Sequence, residues 1–211
     1  MISTITQATQ NIFSRLNWKI YPSTLFSILT CLSIVPCVIF LPEKFAWENY
    51  FIENFQLLIL FICFCITIKS KTNKKLFYWL SMIIFILILR EINCGRSFFP
   101  VPNLNNSFLK WKEIIPNYYW LPTFLYISFM LYSIYYFLKN KLWKITIEYI
   151  KKAKIDFWNL FFLIFSMILG TLAENNLKNQ MLEETTETLF YVSLTILIWL
   201  YSNNKNFKIE K

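Results

Sequence analysis

Histidine is absent from the 211-residue chain, and that one lack removes more chemistry than any other feature of its composition. Without imidazole there is no Ser-His or Cys-His couple, no HExxH zinc helix and no histidine ligand for a metal. Any catalysis must then run on carboxylates, Tyr, Lys, Arg, Ser, Thr or Cys. Glycine is nearly missing too, and two residues leave no glycine-rich loop to cradle a phosphate. Five cysteines, Cys31, Cys37, Cys63, Cys65 and Cys94, show no paired zinc-ligand spacing. Cys63 and Cys65 point to different sides of a helix, which makes a poor bridge. Charge is also scarce, at 16% of residues against roughly 25% in soluble domains.

What remains is apolar and aromatic: 56% hydrophobic residues, with 22 Phe, 12 Tyr and 8 Trp. The apolar residues fall in six runs separated by polar loops. The reading is an all-α polytopic membrane helix bundle forming a single domain over 1–211. Its transmembrane helices, about six, lie at approximately 22–41, 52–68, 76–95, 119–138, 156–174 and 182–201. The first run is longer than a signal-peptide core and no small-residue cleavage motif follows it, so it reads as a retained helix.

Orientation follows from Lys and Arg. Arg15 and Lys19 precede the first run; Lys69, Lys71, Lys74 and Lys75 occupy the second loop. Six lysines between Lys139 and Lys154 occupy the fourth, and Lys205, Lys208 and Lys211 the tail. These fifteen of the 21 basic residues share one side, which the positive-inside rule makes cytoplasmic, with both termini inside. Basic residues interleaved with apolar runs follow membrane topology and form no single patch, so no nucleic-acid partner is expected. Of the 12 acidic residues, only Glu148, Asp156 and Glu210 fall inside. The outer face is therefore rich in carboxylates.

Two loops carry structure of their own. In 141–155, Leu142, Ile145, Tyr149 and Ala153 recur at helical spacing among lysines, the pattern of a basic helix on anionic lipid. In the outer loop 95–116, Phe108, Trp111 and Ile115 share a helical face, which predicts an interfacial helix over the outer mouth.

The candidate site comes from charges placed where lipid should be. Counted from Lys75 at ~1.5 Å per residue, Arg90 and Glu91 lie roughly 22 to 24 Å along the third helix, inside a ~30 Å hydrocarbon layer. There a charge needs a partner or water. The last apolar run is too short to span alone, so its helix must reach back through Glu187, Glu184 and Glu183, with Glu187 within reach of the other two. Helix five ends at Glu174 at a similar height. Arg90, Glu91, Arg96, Glu174, Glu183, Glu184 and Glu187 thus gather near the outer surface. One reading is a structural clamp, in which Arg90 and Arg96 neutralise Glu91, Glu174 or Glu187. The other is a functional pocket, with Glu91, Glu184 and Glu187 as candidate catalytic residues and Arg90, Arg96, Glu174 and Glu183 as binding or ion-pair residues. No cofactor and no firm metal site is predicted; a divalent cation held on carboxylate oxygens stays among the open chemistries.

The segment Leu89-Arg90-Glu91-Ile92-Asn93-Cys94-Gly95-Arg96 resembles a group of bacterial multipass inner-membrane proteins of unassigned activity. They share an acidic residue, Ile, two variable positions, Gly and then Arg or Gln-Arg at a helix end. Leu182-Glu183-Glu184-Thr185-Thr186-Glu187 is similar to the acidic start of their last helix. The resemblance implies a bacterial inner membrane and a common location for the two segments, but no activity. A fainter likeness to ceramidase-like seven-helix hydrolases carries over neither metal nor activity, because those depend on histidine ligands. Three functions are left open: a multipass protein with an acidic, outward-facing polar site, an enzyme acting on a lipid-linked or envelope substrate at the outer leaflet, and a small cation- or proton-coupled transporter or channel. Membrane lipids are the expected partners, and the sequence leaves open an oligomer or a partner membrane protein.

Overall fold

The computed structural model of the protein describes residues 15–47, 50–99, 101 and 108–203. Glu48, most of the outer loop between Pro102 and Ser107, and the basic residues of the tail lie outside them. Among the described residues, seven α-helices exceed one turn: α1 (Thr24–Phe40), α2 (Phe51–Lys69), α3 (Lys74–Glu91), α4 (Leu121–Lys139), α5 (Leu142–Lys152), α6 (Phe157–Leu172) and α7 (Gln180–Asn203). Each of the six apolar runs coincides with a helix, and α5 occupies the basic loop.

Among the described residues, three segments are by length and composition apolar enough to cross a membrane: Glu43–Lys69, Pro116–Lys139 and Phe157–Leu177. α1 is apolar but shorter, at 17 residues. α3 is diluted by Lys74, Lys75, Arg90 and Glu91 at its ends, and α7 by Glu187 and its hydroxyl-bearing residues. The outward faces carry large exposed apolar side chains, among them Leu25, Leu29 and Leu32 on α1, Phe124, Leu131 and Leu138 on α4, and Ile164 and Ile168 on α6. Apolar surface this continuous fits a lipid solvent and not water.

α7 is the central helix, packed against α1, α2 and α6. Ile59, Leu60 and Cys63 of α2, Phe77 and Ile84 of α3 and Tyr191 and Ile198 of α7 form the largest buried cluster. α6 approaches α7 closely at Gly170, where an added Cβ would come within 3.2 Å of Thr186 Oγ1. A small residue at a helix crossing is a common device of membrane bundles, because it lets the backbones approach.

The loops sort by charge. At one end, Leu16–Asn17 (β1) pairs in parallel with Ile155–Asp156 (β2). There Asn73 Nδ2 donates to Tyr149 OH (2.6 Å) and Thr72 Oγ1 to the Ser202 carbonyl (3.0 Å), so the lysine-bearing loops sit together. α5 buries Leu142, is followed by the buried Ala153, and turns Lys144, Lys151 and Lys152 outward with Trp143, Ile147 and Ile150.

Two expected helices are shorter than predicted. The run 76–95 stops at Glu91, because Asn93, Cys94 and Gly95 take positive φ values of 48°, 54° and 96° and the chain turns away. This left-handed backbone suits glycine and asparagine and ends a helix. The interfacial helix over Phe108, Trp111 and Ile115 is a single turn, Trp111–Ile114. Pro116 disfavours helical backbone at Ile115, which sits at φ −134°, ψ 76°.

Candidate acidic site at one end of the bundle

Arg90, in the last turn of α3, reaches across to α7. Its Nη2 bonds Glu187 Oε1 at 2.6 Å and its Nε bonds Glu91 Oε1 at 3.1 Å. Tyr191, one turn beyond Glu187, donates its hydroxyl to the same Glu91 oxygen at 2.5 Å. The members differ in wetness: the Glu91 side chain is 7% exposed, Glu187 29% and Arg90 52%. Glu91 is thus the buried acid, held by two donors, and Arg90 is a half-wet bridge. Glu187 and Tyr191 face α3 together because they lie four residues apart on α7.

Beside this bridge a cavity of about 270 Å³ opens between α6 and α7. Arg90, Glu174, Glu183, Glu187 and Tyr191 supply its polar wall; Met167, Gly170 and Phe190 supply apolar surface. Three carboxylates therefore meet one guanidinium that is already engaged. Glu174 and Glu183 form no ion pair among the described residues. These acids line the cleft without converging as three metal ligands among the described residues.

Two sequence candidates lie elsewhere. Arg96 follows the left-handed turn and donates through Nε to the Leu109 carbonyl (3.2 Å). It ties the loop after α3 together and forms no ion pair with Glu91, Glu174 or Glu187. Glu184 faces α2, where Gln56 Nε2 donates to its carboxylate (3.1 Å) and its backbone carbonyl (2.8 Å). No protein-family model matches the chain, and neither a curated protein nor a solved structure is similar to it.

Sequence reasoning missed Gln56 and Tyr191, which read as ordinary members of aromatic-rich apolar runs. It also missed a buried polar network at the basic end. Asp156 caps α6 by accepting from Asn159 N (3.3 Å) and Nδ2 (2.6 Å). Asn159 Nδ2 donates to Thr24 Oγ1 (3.0 Å), Ser27 Oγ to Asn159 Oδ1 (2.8 Å), and Ser193 Oγ to Ser27 Oγ (3.3 Å). All five residues are buried. The available signal was the pattern Asp-x-x-Asn at the mouth of an apolar run, which places a cap and a second amide on one face.

Proposed function

We propose that the protein spans a bacterial inner membrane six times with both termini in the cytoplasm, and that its outer end presents an acidic cleft for the cationic head group of an amphipathic ligand. The observation that carries this reading is the charge imbalance of the cleft. Arg90 is engaged by Glu91 and Glu187, while Glu174 and Glu183 line the same cavity with no ion pair among the described residues. Carboxylates in excess beside a low-dielectric wall attract an ammonium group. Phe190 and Met167 give it an apolar and polarisable surface. At the opposite end, the lysine face of α5 rests on anionic head groups of the cytoplasmic leaflet.

Two measurements test the two halves of this reading. A short alkyltrimethylammonium, added to the purified protein below its micellar concentration, is expected to raise the melting temperature; an alkyl sulfate of the same chain length is not. Glu183→Gln should weaken that protection. Equal protection by both amphiphiles would contradict a cationic ligand. For sidedness, a reporter active only outside the cytoplasm should work when inserted between Glu43 and Glu53 and fail near Lys74, Lys151 or the C-terminus. An active C-terminal fusion would overturn the orientation.

A second reading, a proton- or cation-coupled carrier, is favoured by the Asp156, Asn159, Thr24, Ser27 and Ser193 network. It carries buried polar groups from the basic end into the seam between α1, α6 and α7. Buried polar residues inside membrane segments mark ion and proton pathways.

A further inference from the structure

Gln56 of α2 is fully buried, and its amide is only half used. Nε2 donates to the Glu184 carbonyl (2.8 Å), to Glu184 Oε2 (3.1 Å) and to Thr188 Oγ1 (3.2 Å). That orientation is set by the backbone carbonyl of Glu184, which only accepts; a flipped amide would place oxygen against oxygen. Gln56 Oε1 is then buried with no donor among the described residues, although it belongs to the same planar head that touches the Glu184 carboxyl group. A buried carbonyl oxygen without a donor is costly and calls for an explanation.

We propose that Glu184 is a proton-binding site, its carboxyl group carrying a proton that it donates to Gln56 Oε1. An acid and an amide are complementary in this way: N–H to carboxyl oxygen on one edge, O–H to amide oxygen on the other. The two-bond ring so formed joins α2 to α7. A proton is the one donor that needs no cavity, and it leaves every other hydrogen bond of Gln56 in place.

The charged groups around Glu184 fit this occupant. Glu53 of α2, Glu91 of α3 and Glu187 of α7 all act on it as like charges. The turn Glu43–Ala46 packs on α2 and α7 and brings Glu43 and Lys44; Lys44 lies over the Phe45 ring, 5.9 Å from its centroid. Arg90 is engaged by Glu91 and Glu187. A proton on Glu184 removes one negative charge from this group. It also stores an exchangeable proton one helical turn from Glu187, at the edge of the cleft. The inference does not depend on what the cleft binds, so a failed ligand assay leaves it standing and its own failure leaves the cleft reading intact.

Infrared spectroscopy of the full chain in detergent at neutral pH tests it. The wild type should show a protonated-carboxyl C=O band that shifts in heavy water and is missing from Glu184→Gln. That variant should melt with the wild type, because its amide also offers an N–H to Gln56 Oε1. Gln56→Leu should keep the band but move it to higher frequency as the acid loses its acceptor. Identical wild-type and Glu184→Gln spectra would overturn the proposal, as would a Glu184→Gln protein that fails to fold or melts well below wild type. So would a wild-type melting temperature that rises with sodium while that of Glu184→Gln does not, since a metal cation would then hold the place assigned to the proton.

Discussion

Glu91→Leu is expected to be the most destabilising single change in the outer cluster, costing about 1–3 kcal/mol through the donor it strands. Leucine preserves much of the volume, so the effect is chiefly the loss of one acceptor. The Tyr191 side chain is 1% exposed and its hydroxyl donates to Glu91 Oε1; without that oxygen the phenol keeps a buried, unpaired O–H. Arg90 suffers less, because it is half exposed, retains Glu187 and can be rehydrated. The asymmetry gives a sharper test than the single change. Tyr191→Phe in the Glu91→Leu background removes the stranded donor, so the double variant should be more stable than Glu91→Leu alone. Unfolding midpoints in detergent report the difference. Additive losses would mean that the two side chains act separately.

How far the sequence reached depends on which forces act locally. The helical runs were legible because apolar length alone decides them, and the backward extension of α7 through Glu187, Glu184 and Glu183 followed from the thickness a span must cover. The meeting of Arg90, Glu91 and Glu187 was legible for the same reason, since three charges at one depth need partners. Arg96 was misjudged because extending the helix to residue 95 assumed right-handed backbone through Asn93-Cys94-Gly95, where the chain turns instead. Glu184 was grouped with Glu187 by spacing, but which neighbour each faces is set by the helix packed on that side. Gln56, Tyr191 and Asn159 were invisible as site members: a single amide or phenol in an apolar run signals nothing until a partner 100 or more residues away is known to bond it.

The cleft proposed as a binding site is tested most directly at Glu187. Its ion pair with Arg90 is wet on both sides, so Glu187→Gln should cost less than about 1 kcal/mol and leave the amount of folded protein in detergent near that of wild type. The amide keeps the shape and an acceptor oxygen, yet brings no negative charge and exchanges no acid proton. If the cleft works through its carboxylates, the variant accumulates normally and fails to complement a deletion of the gene. Normal accumulation with full complementation would contradict the account and leave Arg90, Glu91 and Glu187 as a structural clamp.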